Sequence, residues 1–427
     1  MLRKQASYNA GMTLQKDRSQ EPMPGPAPDG ARRTNPKPEG ASRSGWRALL
    51  TWRWLLLGFA VAGFALTELA RRNPDWTETV FSRGVYPALS SAVAFLPSLL
   101  PFSMAEWFVV AVMLGVAVYL ALSVRSILRA RPGAKGHALV KAIAGLLGIA
   151  SVLYFAFVML CGANYYRHTF AEQSGLEIRE SSTEELTQLC ESLAEDTTQA
   201  RSQLEEAMAA EGVATLDEYA AAHGGFAAYA DGAVGAVSAL ASRYPAFDRP
   251  LFSPPKPVLA STLMSYADIA GIYFPFTVES NINTSGPFFP LPATMAHELA
   301  HQAGFMREAE ANFIAYLACS NADDALMRYS GYSLAYDYAI AALRKVDPEK
   351  AAAISATLSD AVKADRQERS RFLAQFEGPV AQMSNAANNA YLQANNQTDG
   401  TRSYGRMVDL LLAEARGESL SDELLQE

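Results

Sequence analysis

Three long apolar segments near the start of the chain constrain its fold more than any other feature. They run from about Ala48 to Ala70, from about Met104 to Val124 and from about Val140 to Gly162. Each is long enough to cross a bilayer as a helix, which takes about 20 mostly apolar residues. We therefore predict a membrane domain over residues 47–163 with three transmembrane helices (about 48–70, 104–124 and 140–162) and a lipid bilayer as a partner.

Basic residues predict the orientation of these helices. The loop between the second and third segments has no acidic residue and carries five basic ones: Arg125, Arg129, Arg131, Lys135 and Lys141. Residues 1–46 are also basic, and their Pro, Gly and Ser content predicts a disordered tail. The positive-inside rule places the tail and this loop in the cytoplasm. Everything after Gly162 is then extracytoplasmic.

The first outer loop contains an apolar stretch that prolines interrupt, at Pro87, Pro97 and Pro101. These interruptions exclude a regular fourth span. We expect this stretch to lie along the outer membrane surface or to pack under the domain that follows.

Residues 164–427 predict a mainly α-helical domain with a small β-sheet. Ser182 and Glu185 have capping-box spacing, and a helical pattern continues to Gly212. Residues 258–283 have the β-branched and aromatic content of one or two short strands, and an edge strand there could pair with an extended peptide. The formal net charge of −8 argues against a general nucleic-acid binder.

Three cysteines are too few for a disulfide framework. Cys161 lies in an apolar run. Cys190 and Cys319 could form a pair, but two buried thiols is the favoured interpretation.

The segment HELAH carries the chemistry that the sequence predicts. His297 and His301 are one helical turn apart, so both imidazoles project from one helix face and can bind one Zn²⁺. Glu298 lies beside them, where it can act as general base on a water that zinc activates. An intramembrane protease is excluded, because the surrounding segment is too short and too polar for a span.

The third zinc ligand must be a carboxylate, because Arg307 stands where a metzincin needs its last histidine. On one continuous helix Glu310 would lie about 13 Å beyond His301, but Gly304 can end that helix and let the chain reverse. We predict Glu310 as the ligand and interpret Glu308 as a solvated acid in the first turn of the next helix. Asn312 is either an orienting residue for the centre or an ordinary polar residue at a helix start.

Several segments carry a resemblance to a known family. They are NYYR, GIYFPFT, HELAHQAGF, EANFIAYLAC and NNAYLQANNQTDGTRSYGRMVDLLLA. Together they resemble the domain of unknown function 3810 family over roughly residues 50–415. The resemblance implies a bacterial multi-pass membrane protein with a zincin-like peptidase domain and brings no established substrate. The EAN run is also similar to the ligand-bearing helix of ImmA/IrrE-type gluzincins, which implies zinc binding by Glu310.

These patterns predict a membrane-anchored zinc metallopeptidase of gluzincin type in a bacterial cell membrane, with an unknown cell-envelope or extracellular polypeptide as substrate. Tyr404 and Arg406 are possible stabilisers of the oxyanion in the transition state. A catalytically silent zinc-bound scaffold or sensor is the alternative. The presence of Glu298 favours the enzyme, because a scaffold needs the ligands but no base. Substrate specificity, oligomeric state and regulation have no signal in the sequence.

Overall fold

The computed structural model describes residues 52–249, 251–394 and 405–426. The predicted tail over residues 1–46, the start of the first predicted span and Tyr404 lie outside the described residues.

The N-terminal part is helical, and the predicted membrane helices are confirmed as helices. Its α-helices are α1 (Leu57–Arg72), α2 (Pro74–Trp76), α3 (Tyr86–Ser98), α4 (Met104–Arg129) and α5 (Lys135–Leu160). Shorter helical segments cover Trp52–Leu56, Thr77–Val85, Pro132–Ala134 and Gly162–Tyr166. Three stretches are long and apolar enough to cross a membrane: Trp52–Arg72, Met104–Arg129 and Pro132–Leu160.

Glycines allow the first and third of these helices to pack closely. A Cβ at Gly63 would lie 2.8 Å from the Tyr154 ring, and one at Gly148 would lie 2.8 Å from the Leu56 side chain. Small residues at such contacts are typical of helix packing in membranes, where close van der Waals contact replaces the hydrophobic effect.

The C-terminal part is also mainly α-helical, as predicted. Its helices are α6 (Phe170–Ser174), α7 (Thr183–Glu211), α8 (Leu216–Ala222), α9 (Gly225–Ala239), α10 (Ser261–Tyr266), α11 (Leu291–Gln302), α12 (Glu308–Ser320), α13 (Ala325–Val346), α14 (Pro348–Thr357), α15 (Asp360–Ala374), α16 (Pro379–Ala394) and α17 (Arg406–Gln426). The capping box of α7 is formed by Ser182 and Glu185, and the helix ends at Gly212, as the sequence predicts. The main core surrounds α11, α12 and α13, with Met295, Phe313 and Tyr329 fully buried.

A small sheet packs against α11. It contains β1 (Lys256–Pro257), β2 (Gly271–Phe274) and β3 (Glu279–Ile282) in the order β1-β3-β2. β3 pairs with β1 in parallel and with β2 antiparallel, with Ile272 opposite Asn281. The chain between β1 and β2 must therefore cross β3, and α10 lies in this connection. Two short strands in residues 258–283 are confirmed, but residues 261–266 form a helix.

The segment between α1 and α4, which forms the first loop of the predicted topology, packs against the C-terminal part. Tyr86, at the start of α3, is fully buried and donates a hydrogen bond to the Gln302 carbonyl at 2.9 Å. A second core cluster joins Tyr86 and Phe81 of this loop to Val158 of α5, Tyr273 of β2 and Met306. The loop therefore connects the ends of the membrane helices to the sheet and to the end of α11.

Each of the three cysteines, Cys161, Cys190 and Cys319, is a buried free thiol. The interpretation of Cys190 and Cys319 as two buried thiols is therefore confirmed.

Candidate metal centre

A tight chain reversal brings α11 and α12 together at the HELAH segment. Gly304 adopts a left-handed conformation with φ of 85°, which glycine allows without a steric penalty. The N–H of Phe305 bonds to the Ala300 carbonyl at 3.0 Å, which closes the end of α11. α12 begins at Glu308, so the predicted helix end at Gly304 and the second helix after it are confirmed.

Three side chains converge at this reversal: His297, His301 and Glu308. Their potential ligand atoms all lie within 4.8 Å of one another. His297 Nε2 is 3.3 Å from one Glu308 oxygen, and His301 Nε2 is 3.7 Å from the other. Tetrahedral zinc with bonds of about 2.0–2.2 Å holds its ligand atoms about 3.3–3.5 Å apart. The two distances from Glu308 to the histidines are close to this spacing, so the three groups could hold a metal ion.

The hydrogen bonds of both imidazoles also suit metal binding. His297 Nδ1 lies 3.0 Å from Asn312 Oδ1, and His301 Nδ1 lies 2.8 Å from the Phe305 carbonyl. Because both partners are acceptors, each Nδ1 carries a proton, and Nε2 is the nitrogen that is directed at Glu308 and could bind a metal. Asn312 is therefore placed to orient the His297 ring, the first of the two roles that the sequence allows for it.

The structure corrects the choice between the two nearby carboxylates. Glu308 joins the histidines, whereas Glu310 is directed away from them. One Glu310 oxygen accepts hydrogen bonds from the Phe170 N–H and from Arg307, both at 3.0 Å. Glu310, predicted as the third ligand, therefore contributes to packing between α6 and α12.

Helix phase explains this correction. Glu308 and Glu310 are two residues apart, which on an α-helix is a rotation of about 200°, so they point to opposite faces. Because the reversal after Gly304 is short, the first residue of α12 faces back toward α11. Asn312 lies one turn after Glu308 on the same face, and this spacing was the signal in the sequence that favours Glu308.

Glu298 lies beside the three-residue group and is 4 % exposed. Its Oε2 has no hydrogen-bond partner among the described residues, and the backbone of Tyr273 in β2 lies near its carboxylate. Burial raises the pKa of Glu298 to about 7, which suits a group that takes and returns a proton near neutral pH.

Close packing on β2 holds Glu298 in place. A Cβ at Gly271 would lie 2.6 Å from Glu298 Oε1 and 3.0 Å from the Thr294 methyl group. Only glycine leaves room for the carboxylate there. Sequence reasoning missed this role of Gly271.

The charges of the centre are strongly coupled. Burial disfavours the charged forms of His297 and Glu308, but their mutual hydrogen bond and the neighbouring charges together outweigh it, raising the pKa of His297 and lowering that of Glu308. Burial lowers the pKa of His301 to about 4, so this imidazole is neutral at pH 7. A neutral imidazole and a carboxylate are the forms that bind zinc.

A cleft of about 710 Å³ opens onto the centre. Its lining includes His297, Glu298, His301 and Glu308, the chain from Asp268 to Phe276, and residues of α13 and α16. β2 is an edge strand of the three-stranded sheet. The Ala270 carbonyl accepts a hydrogen bond from the Asn283 N–H of the neighbouring chain segment. Because successive residues of a strand direct their backbone groups to opposite edges, those of Gly271 and Tyr273 face the free edge of β2, on the side of the cleft.

The predicted oxyanion stabilisers are not brought to this cleft. Arg406 begins α17 and is exposed, outside the cleft lining, and Tyr404 lies outside the described residues. Tyr391 of α16 lines the cleft instead, with its hydroxyl 3.0 Å from that of Tyr165. Burial raises the pKa of Tyr391, with the nearby Glu308 charge contributing, so its hydroxyl stays protonated.

The fold and the centre together define a mainly helical protein with three candidate membrane helices and a partly buried His–His–Glu group formed by an HExxH helix and the helix after it. The chain belongs to the family described as "Protein of unknown function (DUF3810)", whose model matches residues 81–412. This confirms the resemblance to that family. No curated protein and no solved structure matches the chain.

Proposed function

We propose that this protein is a membrane-anchored zinc metallopeptidase in which His297, His301 and Glu308 hold Zn²⁺ and Glu298 is the general base. The convergence of three ligand atoms within 4.8 Å, on two helices joined by a tight reversal, carries the proposal. The hydrogen bonds at both Nδ1 atoms, which leave each Nε2 directed at Glu308, also support the proposal.

Zinc, when bound, would lower the pKa of a coordinated water and polarise the scissile carbonyl. Glu298 takes the proton from the attacking water through Oε2, which has no hydrogen-bond partner among the described residues, and then gives it to the leaving amide nitrogen. The packing of β2 at Gly271 holds the other side of the carboxylate in place. Tyr391, as a protonated hydroxyl in the cleft, can donate a hydrogen bond to the oxyanion.

The cleft-side edge of β2 supports a polypeptide substrate. Backbone groups of Gly271 and Tyr273 face the cleft next to Glu298, so an extended peptide can add to the sheet there. Pairing along this edge would place the peptide's carbonyl groups beside the three-residue group.

Replacing Glu298 with Gln tests the catalytic role. The variant keeps the size of the side chain and all three ligands, so zinc measured by mass spectrometry should stay at about one ion per chain. Cleavage of a diverse peptide library should fall by about 10²- to 10⁴-fold, the contribution of a general base. Glu195→Gln, on the exposed face of α7, is the matched control.

Undiminished cleavage by Glu298→Gln would exclude Glu298 as the base. Zinc binding without cleavage by the unmodified protein would instead favour the scaffold or sensor.

We propose further that the centre lies outside the cytoplasm. The basic loop between α4 and α5 supports this orientation through the positive-inside rule. Because all three native cysteines are buried, an impermeant thiol reagent reports on introduced cysteines. Glu195→Cys should react in intact cells and Lys135→Cys should react only after lysis; the opposite pattern contradicts the orientation.

A further inference from the structure

The cleft reaches the end of a candidate membrane span. Phe157, in the last turn of α5, and Cys161, directly after it, line the same cleft as His297 and Glu308. Cys161 Sγ lies 3.6 Å from the sulfur of Met306. Met306 precedes Glu308 by two residues, at most about 7 Å of chain. The candidate metal centre therefore lies close to the level at which α5 leaves the apolar span.

The edge strand is fixed to the same span. The hydroxyl of Tyr273 donates a hydrogen bond to the Leu160 carbonyl at the end of α5, at 3.2 Å. The backbone of Tyr273 also lies near the Glu298 carboxylate. The strand that would align a peptide and the end of the membrane helix are therefore directly connected.

β2 leads from Glu298 to a second membrane helix. Phe274 and Phe276 pack on Phe108, in the second turn of α4, with ring centroids 5.7 Å away in both cases. Gly271, at the other end of the strand, contacts Glu298. The direction of β2 is thus from the centre toward the apolar surface of α4.

Exposed apolar side chains continue this surface beside the cleft. Leu259 is 83 % exposed and Leu263 is 70 % exposed, in the connection between β1 and β2. The backbone N–H groups of Leu259 and Ala260 bond to the carboxylate of Glu106 in the first turn of α4, at 3.0 and 2.9 Å. This connection holds both leucines near the start of a span, where lipid can cover them.

We infer, on the basis of the proposed function, that the substrate is a polypeptide anchored in the same bilayer by a span on the N-terminal side of the scissile bond. A peptide that adds to β2 in the antiparallel direction, the commoner pairing, runs opposite to β2. Its N-terminal residues then lie at Phe274 and Phe276, next to α4. Four extended residues cover about 14 Å, so the cleaved bond lies a few residues from the membrane surface.

Anchoring and polarity can be tested separately with matched substrates. The zinc-loaded full-length protein is reconstituted into liposomes with fusion proteins that share one randomised linker and one fluorescent domain. In the first set an apolar helix of about 20 residues precedes the linker. In the second set the same helix follows the linker, and in the third it is absent. The Glu298→Gln protein gives the background in each case.

The substrates anchored at the N-terminal side should be cleaved about 10²-fold faster than the unanchored ones, because anchoring raises the effective concentration. They should also be cleaved faster than those anchored at the C-terminal side. Both anchored sets have the same local concentration, so this second difference reports the direction of the cleft. The cut sites should cluster in the first few linker residues after the helix.

If the unanchored substrates are cleaved as fast as those anchored at the N-terminal side, the inference that the substrate is membrane-anchored is wrong. Equal or faster cleavage of the substrates anchored at the C-terminal side overturns the direction. Neither result would contradict the proposed peptidase activity. If no substrate is cleaved while zinc is bound, the proposed function fails and the inference fails with it.

Discussion

Glu279 and Glu298 are both buried glutamates beside the three-stranded sheet, but their surroundings differ. The Glu279 carboxylate accepts hydrogen bonds from the N–H groups of Met104 and Ala105 and from the Lys256 ammonium, at 3.0, 2.8 and 2.6 Å. Glu298 Oε2 has no partner among the described residues and faces the cleft. A buried polar group is costly unless it is paired, so a fully paired carboxylate indicates a structural role, and an open one that also lines a cleft indicates function.

Glu279 also shows how the two parts of the molecule are joined. It lies on β3, and its two backbone donors are the first residues of α4. A carboxylate at this position also stabilises the N-terminal end of the helix dipole. The sheet that contacts Glu298 on one side is therefore fixed to a candidate membrane helix on the other.

The largest effect that this comparison predicts is at the metal centre. Glu308→Ala should lose most of its bound zinc and its cleavage activity, because two histidines alone do not complete a catalytic zinc site. Glu310→Ala should retain zinc, since its carboxylate bonds to Phe170 and Arg307. Zinc content after gel filtration of folded protein measures both. Retained zinc in Glu308→Ala together with lost zinc in Glu310→Ala would restore the original choice of ligand.

The sequence was sufficient for the parts of this centre that depend on local spacing. The two histidines four residues apart, the helix end at Gly304 and the second helix all follow from local patterns. The choice between Glu308 and Glu310 depends on the rotation of α12 about its axis. The length and path of the reversal set that rotation, and neither propensity nor composition determines it.

Contacts between distant segments also could not be predicted. The three long apolar runs predict spans by length and composition alone. The contact of Tyr273 with Leu160 joins residues 113 positions apart, and that of Tyr86 with Gln302 joins residues 216 positions apart. No periodicity encodes such pairs, so the position of the cleft at the membrane end of α5 emerges only in three dimensions.

The next largest effect is expected at Glu279. Glu279→Ala should lower the free energy of unfolding by about 3–5 kcal/mol, because it leaves the Lys256 charge buried without its carboxylate. A urea titration in nonionic detergent, followed by tryptophan fluorescence, measures the change. Glu195→Ala on the exposed face of α7 should change it by no more than about 0.5 kcal/mol. Equal stability of the two variants would show that the buried pair does not hold the sheet to α4.

The smallest effect tests the position of Glu298 without changing its chemistry. Gly271→Ala places a methyl group 2.6 Å from Glu298 Oε1, so the carboxylate must move. A displacement of about 1 Å should lower the cleavage rate by about 10²-fold, with zinc content unchanged. Gly235→Ala is the matched control, because no atom lies within 4 Å of its added Cβ, and full activity is expected. If Gly271→Ala is equally active, the packing of β2 does not position the base.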